Sequence, residues 1–179
     1  EGVSTILGDI HNVKTDDVLK LLNGRQVDVL IGGVPCQGFS LNNRKRHADD
    51  KRNQLYKEFL RFVEVLKPRA ILLENVSGMK STGDFVPEIE KSLSAVGGMD
   101  VKSKLLYAPD YGVPQSRLRL VFVGVKGKKF DFESIEKTNG KETGKPYNTV
   151  WDAIGDLPVP DANEESSKYT MQPRTEYQM

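Results

Sequence analysis

The sequence is poor in the residues that most often carry chemistry: one cysteine, two histidines and one tryptophan among 179 residues. A single cysteine excludes a disulfide framework within the chain and fits a reducing compartment. Charge of one sign is lacking as well, 26 basic side chains standing against 25 acidic ones. No global field therefore draws in a polyanion, and nucleic-acid binding has to come from a local patch. No apolar run reaches bilayer length, and neither a signal peptide nor an internal repeat is legible. The length suits one domain with a real core.

What is present centres on Gly32-Gly33-Val34-Pro35-Cys36-Gln37-Gly38-Phe39-Ser40. The run Val27–Ile31 feeds into it and reads as a buried strand, β-branched and bounded by glycines. Lone cysteines are most often buried and inert. Here Pro35 fixes the backbone on one side and Gly38 frees it on the other, a shaped loop that a packing cysteine does not need. The carboxyl end of a strand in an open α/β sheet is also where ligands sit.

Taken in order, Val3–Leu7 reads as a strand ending at Gly8-Asp9-Ile10, where Asp9 either meets a ligand or caps a turn. Thr15-Asp16-Asp17 opens a short helix with Val18, Leu19 and Leu22 inward, closed by Asn23-Gly24. Residues 41–53 carry five cations against two anions. They read as a surface loop, either a solvated charge run or a lid over a polyanionic substrate. Gln54–Leu66 has helical spacing, with Leu55, Phe59, Phe62, Val63 and Leu66 inward, and Lys67-Pro68 ends it. Ala70–Leu73 is a second strand with Glu74-Asn75-Val76 at its carboxyl end. Strand, helix and strand make a βαβ unit, so the two strands should run parallel and bring Cys36 and Glu74 to one rim.

Phe85–Val96 predicts another helix, with Val86, Ile89, Leu93 and Val96 inward, and Val101–Tyr107 and Leu118–Val125 predict strands. In Gln115-Ser116-Arg117-Leu118-Arg119 the two arginines share a face if the strand begins there. A guanidinium at the end of a buried strand needs an anionic or polar partner. Residues 126–145 read as loop and Thr149–Ile154 as a short capped helix, with Trp151 a packing residue. Residues 160–179 read as extended. A thiol, a carboxyl group and two arginines on one rim suit addition of a thiolate to an activated heteroaromatic ring. No histidine or second cysteine stands where a hydrolase or a redox pair would need it.

Pro35-Cys36-Gln37-Gly38-Phe39-Ser40, Glu74-Asn75-Val76 and Gln115-Ser116-Arg117-Leu118-Arg119 together resemble, in order and approximate spacing, the catalytic motifs of the DNA cytosine-5 methyltransferases. The resemblance runs from about Gly8 to Met179, Thr149–Pro158 and Tyr177-Gln178 being similar to the stretch that leads toward that family's target-recognition region. It implies an α/β, Rossmann-like S-adenosylmethionine-dependent methyltransferase fold. It implies further that Cys36 attacks carbon 6 of a flipped cytosine, Glu74 contacts N3 and the exocyclic amine, and Arg117 and Arg119 hold the base. Asn75 would fix geometry near the cysteine loop, and Gln37, Ser40 and Gln115 would belong to the substrate-facing loops. Asp9, Ile10, Pro35 and Leu55 would contact the cofactor, S-adenosylmethionine.

The sequence departs from the family pattern at both ends. The family's glycine loop at the first strand and the acidic residue after the second are absent, as are the target-recognition domain and the final motif. The expectation is a partial catalytic domain over residues 1–160 and an extended segment over 161–179, with weak or no cofactor binding by the isolated chain. Its partners would be double-stranded DNA and the remainder of the same enzyme, with no metal and no membrane. The compartment would be the cytoplasm in a bacterium or the nucleus in a eukaryote. A non-catalytic nucleic-acid-binding remnant and a tRNA cytosine-5 methyltransferase are the alternatives.

Overall fold

The computed structural model describes residues 4–35, 55–81, 85–157, 172–175 and 178. They fall into two compact units, residues 1–105 with 119–132, and residues 106–118 with 133–179. The domain boundary expected at 160/161 lies outside the described residues.

The first unit holds the sheet. β1 (Val29–Gly32), β2 (Ala70–Val76), β3 (Asp100–Tyr107) and β4 (Leu118–Val125) lie in the order β1-β2-β4-β3. β1 and β2 run parallel, Val29 opposite Ala70 and Gly32 opposite Leu73, as the βαβ reading requires. β4 runs antiparallel to β2, with Val76 opposite Arg119 and Glu74 opposite Val121.

Three helices belong to this unit: α1 (Thr15–Leu22), α2 (Leu55–Leu66) and α3 (Phe85–Gly97). The spacing of Tyr56, Phe59, Phe62 and Val63 gives α2 one buried face. Lys67 then takes a left-handed φ of 47° and Pro68 prevents continuation. Ile89 and Leu93 of α3 meet that face, and β2 presents Ile71 and Leu73 to the same core, with Leu120 and Phe122 from β4. Strand alternation explains the choice: Ile71, Leu73 and Asn75 are buried, and the residues between them are only half-buried.

Several sequence expectations need correction. Residues 4–7 form no strand, and Leu7 is 99% exposed. A strand requires a neighbour to complete its ladder, and none is described beside them. β1 is not buried: Val29 is 54% and Ile31 69% exposed. It is one edge of the sheet among the described residues, β3 being the other, and alternate residues of it are exposed. Of the three α1 residues expected inward, Val18 and Leu22 are only half-buried and Leu19 is 42% exposed. Val96, at the end of α3, is 39% exposed, whereas Tyr56, unforeseen, is core.

In the second unit, α4 (Val150–Ile154) starts at a capping box in which Thr149 and Asp152 satisfy each other's backbone N–H groups. Trp151 does not pack; it is 68% exposed, on a helix too short to bury a full face.

Candidate active site

The register of β1 and β2 sets the site. Gly32, the last residue of β1, lies opposite Leu73, so Gly33 comes level with Glu74 of β2, a strand that runs on to Val76 rather than ending at Leu73 as the sequence suggested. Glycine is needed at Gly32, because a Cβ there would stand 2.6 Å from the Phe59 ring. At Gly33 a Cβ would meet Glu74 Oε2 at 3.6 Å, so the carboxyl group stands directly over the backbone that leads to Pro35. Cys36 follows Pro35 in the chain; Cys36, Gln37 and Ser40 lie outside the described residues.

Arg119 Nε donates to Glu74 Oε1 at 2.6 Å. The pair follows from the antiparallel register: Glu74 faces Val121, and Arg119, two residues earlier, is its diagonal neighbour on the same face. The side chains are 41% and 21% exposed, so water screens the attraction and its main effect is orientation. Asn75, on the opposite face, is buried at 2% exposure. Its amide donates to the Val34 carbonyl at 3.4 Å, and its Oδ1 accepts the Val76 N–H at 2.8 Å. Two consecutive β2 residues thus flank the segment before Cys36, one from each face of the sheet.

Arg117 and Gln115 belong to the second unit, and both are exposed. The strand begins at Leu118, so Arg117 precedes it and strand alternation does not place it with Arg119. Its carbonyl accepts the Ala108 N–H at 2.8 Å, and the Gln115 N–H donates to the Val113 carbonyl at 2.8 Å.

Beside the end of β1 lies a cavity of about 290 Å³, and Ile10, Pro35 and Leu55 are all in its wall. Leu30, Val34, Phe59 and Phe62 complete an apolar lining in which Glu58 is the single acid. Asp9 is not part of the wall. It caps a 3-10 turn at Ile10–Asn12, accepting from the His11 N–H at 3.0 Å and from its Nδ1 at 2.7 Å. The backbone N–H, then the ring, hold this carboxyl below the ordinary carboxylate range.

Residues 2–179 match the family described as C-5 cytosine-specific DNA methylase. The chain belongs to that family. It is 41% identical over 163 residues to the Type II methyltransferase M1.HphI of Haemophilus parahaemolyticus, covering 88% of this chain and 42% of that protein. With M.DdeI of Desulfomicrobium norvegicum it shares 37% over 182 residues, covering 98% and 43%. With M.AquIA of Picosynechococcus sp. it shares 36% over 176 residues, covering 86% and 70%. The chain thus spans about two fifths of the length of the first two relatives. A prophage-encoded DNA modification methyltransferase structure (E. coli) superposes with a TM-score of 0.67 at 32% identity, over 90% of this chain and 44% of that one. Spodoptera frugiperda DNMT2 shares the fold, with a TM-score of 0.54 at 23% identity over 87% and 45%.

A second cavity of about 350 Å³ lies in the other unit, between Tyr107, Asp110, Lys137 and Tyr147. Three of its charged groups are paired: Lys137 reaches Glu142 at 2.9 Å and Asp110 at 3.4 Å, and the Tyr147 hydroxyl donates to Asp110 at 2.8 Å. None of the residues expected to be functional lines it. No described helix is long and apolar enough to cross a membrane, and no described cluster of His, Cys, Asp and Glu could hold a metal ion. What the sequence reading missed is the aromatic wall at Phe59 and Phe62. Helical spacing marked both as inward, and inward here also means toward the cavity.

Proposed function

We propose that the protein methylates carbon 5 of cytosine in DNA, with Cys36 as nucleophile and S-adenosylmethionine as methyl donor. The observation that carries this reading is the Glu74–Arg119 pair standing over Gly33, three residues before Cys36. An acid fixed on one oxygen by a guanidinium keeps its second oxygen toward the strand-end backbone. There it meets N3 and the exocyclic amine of a base flipped out of the duplex.

The Cys36 thiolate forms a bond to carbon 6, and the electron pair of the 5,6 double bond moves to carbon 5. Glu74 assists by hydrogen bonding or proton donation at N3, and Arg119 offsets the charge on the carboxylate. When bound, S-adenosylmethionine supplies an electrophilic methyl group to carbon 5. Loss of the carbon-5 proton to water then expels Cys36 and restores the double bond. Asn75 holds the Val34 carbonyl throughout and so fixes where the Cys36 loop begins.

The cavity beside β1 fits the ring end of such a donor. It is largely apolar, has two aromatic residues in its wall and lies at the carboxyl end of β1. Its volume stands near the lower bound of small-molecule sites, about 300 Å³, which suits part of a ligand rather than all of one. Ile10, Pro35, Leu55, Phe59 and Phe62 would hold it. The test is incorporation of labelled methyl groups by the full-length protein into duplex DNA, into the same duplex with every cytosine replaced by 5-methylcytosine, and into tRNA. Label in the first alone is expected. Label in the second places the chemistry at another atom, and label in tRNA alone overturns the DNA reading.

A further inference from the structure

The turn that brings Ile10 to the cavity has little to hold it. Residues 4–12 are all exposed, and α1, which follows, buries no side chain. The turn's own hydrogen bonds are local ones, Asn12 N–H to the Asp9 carbonyl at 2.9 Å and Val13 N–H to the Ile10 carbonyl at 3.2 Å. Short exposed segments of this kind open at little cost.

A tether comes from α2. Arg61 Nη1 donates to the Val13 carbonyl and Nη2 to the Ile10 carbonyl, each at 3.0 Å, across 48 and 51 residues of sequence. Arg61 Nε and Nη2 also donate to Glu58 Oε2, at 2.9 and 2.7 Å. The guanidinium lies 4.4 Å over the Phe62 ring. Glu58 and Phe62 are themselves in the cavity wall. One planar group therefore grips both ends of the Ile10 turn and two residues of the opposite wall. Only a rigid fork of donors reaches all of these acceptors together; a lysine ammonium is a single point.

We propose that Arg61 is a positioning residue for the cofactor pocket, holding the Ile10 turn against α2 so that the apolar wall exists before the ligand arrives. The inference rests on the reading of this cavity as the S-adenosylmethionine site. A pre-formed wall spares the ligand the ordering of that turn, so loss of the clamp weakens binding even though Arg61 does not itself line the cavity.

The experiment uses the full-length protein, with Arg61→Met, which keeps the stem and removes every donor, and Arg61→Lys, which restores a single cation. S-adenosylhomocysteine is the probe, titrated calorimetrically, and hydrogen exchange of the Asn12 and Val13 amides is followed without ligand. Two lost hydrogen bonds predict roughly tenfold weaker binding and faster exchange of those amides in Arg61→Met. Arg61→Lys should recover only part of both, and exchange at Ile71 and Leu73 should stay unchanged in both variants, showing an intact core. Unaltered protection of the turn in Arg61→Met overturns the clamp, as does a loosened turn with unaltered affinity. Failure of the wild-type protein to bind the probe overturns the cofactor reading itself, and the proposal with it.

Discussion

Glu74 is where sequence, register and chemistry meet. Its place two residues before the end of β2 sets it level with Gly33, and the diagonal relation to Arg119 fixes one oxygen at 2.6 Å. Replacement by glutamine keeps the shape but removes the acid. Glu74→Gln should lower the rate of methyl transfer by about 10²–10⁴-fold, the range of acid–base assistance, with the fold intact by circular dichroism. A loss smaller than tenfold would remove Glu74 from the chemistry. Gly32 is decided by space. A methyl group 2.6 Å from the Phe59 ring forces that ring or the strand to move, so Gly32→Ala should cost about 1–3 kcal/mol in denaturant unfolding. Glu74 and Asn75 were legible as a polar pair following an apolar run, although the strand does not end there but continues through both to Val76. Arg61 was not, since its partners lie 48 and 51 residues away and no local pattern points to them.

At the scale of elements, periodicity read well where an apolar face packs into the core. The bounds of α2, α3, β3 and β4 fell within a residue or two of expectation, β3 even at an edge of the sheet, whereas β2 runs on through Glu74-Asn75-Val76, three residues past the expected end at Leu73. Periodicity failed at the margins. Residues 4–7 have the apolar character of a strand but no ladder partner, and β1 has β-branched residues whose outer face nothing described covers. An apolar edge invites pairing with another chain, and a lysine on that edge discourages it. The 179-residue chain should therefore associate with rising concentration in light scattering, and Val29→Lys, at a position 54% exposed, should suppress this. Association that the lysine leaves untouched would place the sticky surface elsewhere.

The turn at Ile10–Asn12 carries a pH dependence of defined sign. Asp9 is held below the ordinary carboxylate range by the His11 N–H and ring, so its contribution is present above its unfolded value and is lost as pH falls through the lowered one. The same holds for Asp152, lowered by the backbone N–H and hydroxyl of Thr149 at the start of α4. In an NMR titration the Thr149 amide shift should hold steady through mildly acidic pH and move only below the usual carboxylate range. Movement at or above that range would contradict the capping role of Asp152.

At the scale of the molecule, the chain belongs to the C-5 cytosine-specific DNA methylase family, and its sheet-bearing unit presents Glu74, Asn75 and Arg119 around the segment before Cys36. The α/β class and the parallel βαβ unit were readable because strand order and crossover length leave few topologies open. The division into two units was not. It depends on the distant ends of β3 and β4 passing into a second cluster around Asp110 and Lys137. The central claim is that Cys36 is the nucleophile. It is tested most directly by incubating the full-length protein with S-adenosylmethionine and duplex DNA carrying 5-fluorocytosine at its target sites. Fluorine at carbon 5 cannot leave as the proton does, so the Cys36–carbon 6 bond should be trapped as an adduct that survives denaturation and is lost in Cys36→Ser. No adduct with the wild-type protein, or an adduct that persists in Cys36→Ser, would contradict the account.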